Sequence, residues 1–326
     1  MTQLDDLRRR TACYVFSFNR GRLLEQSLRT AAASLGDMPI FVVDDGSDDP
    51  ETLDVLARWA DRAPPLPETA TGVAGERKTG GLYPNMDRAM SHAVAMGLDH
   101  ALFHQDDMQF VRPLDETDAR DVARYFEANP EAIQLLLHFI KRPAPGEDLA
   151  RTYRADPAGV AHVRRDPDAH AKGRFCAGGL FHVARTREAL PRFSPSEAEN
   201  GARLRGEGRA YGYLRAPMIS FMPAPRSYRR RRRGPEHRLY EWLGGAGFHP
   251  VDPMTAEDVA ALRARAPDDV PTAETVLRCA TAPVPDDWAA GGGAHLAAAR
   301  GGWRAALVRA IDAAKRPLRR LAGRAA

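Results

Sequence analysis

PIFVVDDGSDDPETL (residues 39–53) is the stretch on which the fold turns. Residues 39–43 form an apolar run of strand length, and Asp44 and Asp45 close it. Gly46 permits a turn. Asp48 or Asp49 then stands before Pro50, an N-cap followed by the residue type favoured at the first helical position. Leu53, Leu56, Ala57 and Ala60 continue as one apolar helical face. A buried strand that ends in carboxylates and passes directly into a helix is one βα unit.

The same alternation extends to both sides. Upstream, ACYVFSF (12–18) reads as a buried strand, and RLLEQSLRTAAASL (22–35) carries apolar residues at 23, 24, 28, 31, 32 and 35, a helical stripe. Downstream, residues 62–82 are rich in Pro, Gly and Thr and read as a loop. A helix is expected at about 85–97, a strand at HALFHQDD (100–107), a helix at 116–129 and a strand at AIQLLLHFI (132–140). Residues 141–174 are polar and Pro-rich, which suits long loops or a hairpin. FCAGGLFHVAR (175–185) reads as a strand reached through a glycine turn, SEAENGARLRGEG (196–208) as a helix ending at Gly208, and APMISFMP (216–223) as a last strand. Such βαβα order predicts an α/β, Rossmann-like, mostly parallel sheet with helices on both faces. Ligands of these sheets bind beyond the carboxyl ends of the strands. Here those ends are Ser17–Asn19, Asp44–Ser47 and Gln105–Met108, all polar and two with paired Asp.

The chain has 326 residues with 44% hydrophobic content, enough for a large core and about two average domains. Its formal charge of +4 is unevenly placed. Residues 295–326 hold seven Arg, one Lys and one Asp, a net +7, and residues 226–238 hold seven Arg and one Glu, a net +6. Taking both from +4 leaves the rest at −9, which argues against a uniformly basic nucleic-acid coat. Cys13, Cys176 and Cys279 are scattered, which suits a reduced cytosol and lacks zinc spacing. The start MTQLDDLRRR has no apolar signal region, and the longest apolar stretches fall far short of the ~20 residues that span a bilayer. No P-loop or G-x-G-x-x-G motif is present, against an NTPase or a dinucleotide enzyme.

YVFSFNRGRLLEQSLRTA, FVVDDGSDDPETL and ALFHQDDMQFVRP resemble the family 2 glycosyltransferases of the GT-A fold, over roughly residues 11–222. The resemblance implies a nucleotide-sugar donor, most often a UDP-sugar, and a divalent metal (Mn or Mg). A hard cation on carboxylates neutralises the diphosphate leaving group, and one or two protein carboxylates suffice because phosphate oxygens and water complete its shell. The family pattern gives Asp107 as metal ligand and Asp106 as ribose contact or second ligand. His104 or Gln105 takes the first position in an alternative register. Asp45 matches the carboxylate that accepts from the nucleobase N–H, while Asp44 suits an Asx-type turn. Ser17 and Asn19 share that rim, and Asn19 fits either a helix cap or a nucleotide contact. Asn85-Met-Asp-Arg-Ala-Met resembles the family segment entering the helix before the DD strand, with Asp87 where the family has Asn, and the resemblance implies that Asp87 contacts the nucleotide sugar. Arg77 and Lys78 lie upstream of it.

An inverting transfer needs a general base for the acceptor hydroxyl. The family places an acid at a helix start with an Arg six positions later, which Glu197 and Arg203 match, and Glu199 is the reserve. The plainer alternative is that Ser194 or Ser196 caps the helix and both acids favour its positive end. Gly178-Gly179 suits either a close approach of substrate to backbone or a tight turn. His138 reads as a core histidine. Cys176 has no His partner evident in the sequence, so no nucleophile role is expected of it.

Two domains are expected: a GT-A domain at 1–225, then an Arg-rich linker with a basic helical C-terminal extension at 226–326. Arg229–Arg233 suits the donor diphosphate, an anionic acceptor or a solvated run, and lacks the interleaved aromatics of a nucleic-acid site. On a helix, Trp303, Leu307, Ala310, Ile311, Ala314, Leu318 and Leu321 share one face, opposite Arg309, Lys315, Arg316, Arg319, Arg320 and Arg324. That pattern fits either an anionic membrane surface or the protein's own core. The expectation is a cytoplasmic enzyme, peripheral on the inner face of the cell membrane, acting on a saccharide or lipid-linked acceptor. A nucleotidyltransferase-like enzyme and a non-catalytic nucleotide-sugar or polyanion-binding module are the alternatives.

Overall fold

The computed structural model describes residues 1–66, 81–140, 148–169, 173–205, 211–223 and 247–279, with a few positions between 302 and 313. Arg77, Lys78, Gly208 and Arg229–Arg233 lie outside the described residues.

The chain opens with α1 (Gln3–Arg9) and then alternates: β1 (Thr11–Ser17), α2 (Gly21–Leu35), β2 (Ile40–Asp44), α3 (Pro50–Trp59), α4 (Leu82–Ala95), β3 (His100–Gln105), β4 (Met108–Phe110), α5 (Glu116–Ala128) and β5 (Gln134–Leu136). A short α6 (Leu149–Thr152) precedes a hairpin of β6 (Tyr153–Ala155) and β7 (Ala161–Arg164). Then come β8 (Gly179–His182), α7 (Val183–Ala189), α8 (Glu197–Arg205), β9 (Tyr211–Leu214), β10 (Ile219–Phe221), α9 (Ala256–Ala264) and α10 (Ala273–Val276).

Among the described residues, one eight-stranded sheet runs β2-β1-β3-β8-β5-β9-β7-β6, with β4 and β10 paired separately. The pairings make six of its strands co-directional, and only β8 and β7 oppose them. This is the mostly parallel, helix-flanked sheet expected from the βα order.

β1 is buried at all seven positions because both of its faces are covered. Side chains alternate across a strand. Cys13 and Val15 join Leu24 and Leu28 of α2, Val55 of α3 and Val122 of α5 on one side. Tyr14 and Phe16 join Met86 and Met90 of α4, Phe181 of β8 and Leu204 of α8 on the other. The helix starts follow the expected chemistry. The Asp49 side chain accepts from the Thr52 amide with Pro50 in the first turn, and Asp115 and Asp118 form a reciprocal capping box on α5.

Three elements depart from expectation. The apolar run 132–140 is a strand only over Gln134–Leu136. β8 ends at His182, and Val183 starts a helix instead of extending the strand. β8 also enters antiparallel between β3 and β5, a placement that depends on Gly179. Its φ is +116°, and a Cβ there would sit 2.7 Å from Leu136 Cδ2. β9 has no counterpart among the expected strands. Residues 141–174 do hold the anticipated hairpin, turned by Asp156, whose carboxylate accepts from the amides of Ala158, Val160 and Ala161.

Residues 247–279 dock on the earlier chain. Gln109, 1% exposed, donates to the Val251 carbonyl at 2.7 Å and accepts from its amide at 2.9 Å. Arg263 bonds Asp115 and Asp118, and Asp118 is paired bidentately with the equally buried Arg112. Arg112 also donates to the Ala216 carbonyl. No helix among the described residues is long and apolar enough to cross a membrane.

Burial holds His100, His104 and His162 neutral, with pKa values lowered from 6.5 to about 4, and lowers His92 and His182 as well. Between about pH 6.5 and 4 the unfolded chain therefore binds protons that the fold does not, so stability falls as pH falls through that window. Asp106 and Asp121, raised by burial, oppose this with fewer protons. Each of the three most shifted imidazoles contributes a loss of about 2 kcal/mol between pH 7 and pH 5. Urea midpoints measured at the two pH values check this, with the lower midpoint expected at pH 5.

Candidate functional site

The register of the three leading strands brings their carboxyl ends to one rim. Ser17 pairs with Asp44, and Phe16 pairs with Gln105. The ladder continues one residue further on each side, with Asp45 N donating to Ser17 O and Asp106 N to Phe16 O, both at 3.0 Å. Ser17, Asp45, Asp106 and Asp107 are thus assembled by strand pairing, before any side-chain contact is counted.

The loop after β1 is locked to the loop after β2. Asn19 has φ +51°, a left-handed conformation that Asn tolerates better than most residues. Its Oδ1 accepts from the amides of Asp48 and Asp49, its Nδ2 donates to Asp48, and its own amide donates to Ser47 Oγ. Asn19 is therefore a clamp between loops, and α2 starts without a side-chain cap. Asp44 takes the Asx role, accepting from the Ser47 amide at 2.7 Å and its hydroxyl at 2.6 Å. Asp45 accepts from Asn85 Nδ2 at 3.1 Å. Gly81 lies directly against that carboxylate, since a Cβ at 81 would stand 1.9 Å from Asp45 Oδ1.

Asp87, expected beside the nucleotide, is engaged elsewhere. Its carboxylate accepts from Arg187 and from the Phe193 amide, joining α4 to α7 and the chain beyond it. Two residues on a helix are about 200° apart, so positions 85 and 87 face opposite ways. The α4 residue that meets the rim is Asn85, which Arg88 holds through its Oδ1 at 3.0 Å.

The carboxylates after β3 are nearly out of water, with Asp106 at 5% and Asp107 at 9% exposure. Arg20, at the entrance to α2, spans them. Its Nη1 lies 2.8 Å from Asp106 Oδ1 and 3.1 Å from Asp107 Oδ2. Asp106 Oδ2 accepts from the Phe18 amide at 3.2 Å. Burial pushes the Asp106 carboxyl up to about 6, with the charge of Asp107 adding and Arg20 opposing. Burial also works against the charge on Arg20, but the two aspartates more than offset it and raise its pKa. Asp107 Oδ1 and Ser17 Oγ are buried with no hydrogen-bond partner among the described residues. Gly21 lets α2 start against α3, since a Cβ there would fall 2.7 Å from the Glu51 backbone.

Glu197 opens α8, and its Oε1 accepts from the Ala177 amide at 3.0 Å. Next to Ala177, Gly178 packs on Met108, with an ideal Cβ 2.9 Å from Met108 Cε, so this loop joins Glu197 to the turn carrying Asp107. Buried Gln134 holds the loop by donating to the carbonyls of Cys176 and Gly178 at 2.8 and 2.7 Å. Tyr83 of α4 is pushed up to about 12, by burial first and the Glu197 charge second. Glu199 is exposed, and Ser196 caps the helix by accepting from its amide. Arg203 bonds the Arg192 carbonyl. Sequence reasoning missed Arg20, Asn85 and Gln134 as site residues. Arg20 left a signal as a cation between a strand end and a helix start, and Asn85 opens the segment before the DD strand, whereas Gln134 left none.

Asp107 and Asp106 are the residues on this rim that could hold a hard cation. The unpartnered Asp107 Oδ1 is an acceptor that lacks a donor, although no cluster of three or more metal-ligating side chains forms among the described residues. No protein-family model matches the chain, and no curated protein is recovered as a relative. Solved structures are similar at low identity. S. aureus TarS (1–349) in complex with UDP is 14% identical over 65% of this chain, which spans 60% of that one, at a TM-score of 0.45. The mannosyltransferase PcManGT from Pyrobaculum calidifontis, in complex with GDP-Man and Mn²⁺, is 19% identical over 94% of this chain and 80% of that one, at 0.39. A mannose-1-phosphate geranyltransferase from Thermus thermophilus is 17% identical over 63% and 73%, at 0.35.

Replacing Arg20 by Met removes the charge that holds the Asp106 carboxyl down. Carbon-detected NMR titration is expected to show Asp106 near 6 in the native protein and clearly higher in Arg20→Met.

Proposed function

We propose that the protein is an inverting glycosyltransferase. It moves a sugar from a nucleotide-diphosphate donor, a UDP-sugar, to a hydroxyl of a saccharide or lipid-linked acceptor. The observation that carries this reading is the buried Oδ1 of Asp107, without a hydrogen-bond partner among the described residues, on a rim shared with Asp106 and, across β1, with Asp45 at the end of β2.

In this reading Asp45, pre-set by Asn85 and Gly81, accepts from a nucleobase N–H. Asp107 and Asp106 would hold a divalent cation, Mn or Mg, which when bound offsets the charge of the diphosphate leaving group. In the free protein Arg20 bridges the same two carboxylates and offsets part of their mutual repulsion. Ser17 offers a hydroxyl at the nucleotide side, and Asn19 acts by holding the two loops in register. Glu197 takes the proton from the attacking hydroxyl, steadied by the Ala177 amide. Glu199 is the alternative base, although its exposure gives it no comparable anchor. Asp87 supports the rim from α4 without touching the donor.

The two-part division at residue 225 belongs to the same reading, with 247–279 serving as a buttress to the first part. Trp303, 60% exposed, and Leu307 present apolar surface that suits peripheral attachment to an anionic membrane through 295–326.

Calorimetric titration of UDP with and without Mn²⁺ tests the assignment. The native protein is expected to bind UDP in a metal-dependent way, and Asp107→Asn to lose that dependence. Glu197→Gln is expected to keep UDP binding while transfer falls by about 10²–10⁴-fold. Metal-independent UDP binding that survives Asp107→Asn contradicts the reading. Binding with no turnover for any donor favours the binding module instead.

A further inference from the structure

Cys176 and His138 are 38 positions apart in sequence, yet the fold brings Cys176 Sγ to 3.8 Å from His138 Nε2. This overturns the expectation that Cys176 has no imidazole partner. The proposed transfer uses neither residue.

Three features make the pair more than a chance contact. First, the tautomer of His138 is set. Its Nδ1 lies 3.2 Å from the Phe139 carbonyl oxygen, which can only accept, so Nδ1 carries the ring proton. Nε2 of the neutral ring is then an acceptor, and it is the atom facing the thiol. Second, the ring is fixed. It is 5% exposed and held edge-on by Tyr213 and Phe221, with centroids at 5.6 and 5.1 Å. Third, the cysteine backbone is fixed at both ends by one fully buried side chain. The Cys176 amide donates to Gln134 Oε1 at 3.2 Å, and its carbonyl accepts from Gln134 Nε2 at 2.8 Å. The thiol is therefore aimed at a base rather than swinging on a mobile loop.

The other two cysteines provide internal contrast. Cys13 is completely buried in β1, and burial raises its thiol well above the usual range. The Cys279 thiol donates to the Pro250 carbonyl at 3.0 Å, an acceptor that cannot take its proton. Cys176 alone of the three combines partial exposure with an imidazole acceptor among the described residues. A thiol becomes a nucleophile when its proton can pass to such a base.

We propose that Cys176 and His138 form a reactive-thiol site that takes hydroperoxides as its electrophile. The Sγ proton passes to Nε2, and the thiolate attacks the distal oxygen of the hydroperoxide. The S–O bond forms as the O–O bond breaks, and the departing alkoxide or hydroxide takes the proton back from the imidazolium. The products are the Cys176 sulfenic acid and an alcohol or water. Sulfur is oxidised by two electrons and the peroxide reduced by two. The modified sulfur belongs to the residue before Ala177, whose amide donates to Glu197.

The test treats the full-length protein with hydrogen peroxide in the presence of dimedone, which traps sulfenic acids, and follows each cysteine by peptide mass spectrometry. Dimedone is expected on Cys176 at least about tenfold faster than on Cys13 or Cys279. In His138→Asn, which keeps a donor near the Phe139 carbonyl but lacks Nε2, Cys176 labelling is expected to slow by at least about tenfold. Equal labelling of Cys176 and Cys279 in the native protein overturns the proposal even if His138→Asn does not fold. Unchanged labelling in a folded His138→Asn also overturns it.

Discussion

Two adjacent carboxylates withdrawn from water at the end of β3 are the constraint around which this molecule is arranged. Burying a carboxylate carries a penalty of several kcal/mol unless charge and hydrogen bonds offset it. Asp106 receives both, from Arg20 and from the Phe18 amide, while Asp107 receives only Arg20 and keeps one oxygen without a donor among the described residues. That asymmetry needs the β1–α2 loop to lie over the end of β3. The loop lies there because β1 pairs in parallel with both β2 and β3 and the three strands end together. Asn19 locks the first loop to the second, and Gly21 allows α2 to start where Arg20 can reach. Each device is local, and each serves to keep the same pair of acids in place.

The second half of the chain completes the rim from the other side. β8 inserts antiparallel beside β3, and Gly178 and Gly179 let its leading loop lie on Met108 and Leu136. Gln134, at the start of β5, binds that loop through three backbone atoms. The loop in turn carries the amide that meets Glu197. A contact of 3.0 Å at the start of α8 is thus linked by packing to the acidic turn. In this construction backbone position matters more than any single side chain along 176–179.

Much of this was legible in the sequence because it is local. Apolar runs of strand length, an Asp-Pro helix start and acids at strand ends are encoded within a few residues, so β1, β2, β3, α2, α3 and α5 lie close to where periodicity puts them. The strand-end acids Asp45, Asp106 and Asp107 followed from the same logic. What was not legible depends on pairing or phase. The antiparallel entry of β8 is a tertiary choice, and β9 is four residues long with nothing in its pattern to announce it. Asp87 was expected at the nucleotide, but it lies on the opposite face of α4 from the rim, where Asn85 stands instead. Arg20 stood in view, but its partners are 86 and 87 positions distant, and only the sheet brings them together. The thiol–imidazole pair was hidden for the same reason.

The central claim is that Asp107 and Asp106 hold a divalent cation under a nucleotide diphosphate while Asp45 meets the base. Crystals grown with UDP and Mn²⁺, with diffraction data recorded at the manganese edge, test it most directly. An anomalous peak beside the Asp107 carboxylate and the phosphate oxygens is expected, with Arg20 no longer spanning both acids. A peak elsewhere, or bound UDP with the Arg20 bridge intact and no manganese beside Asp107, would contradict it.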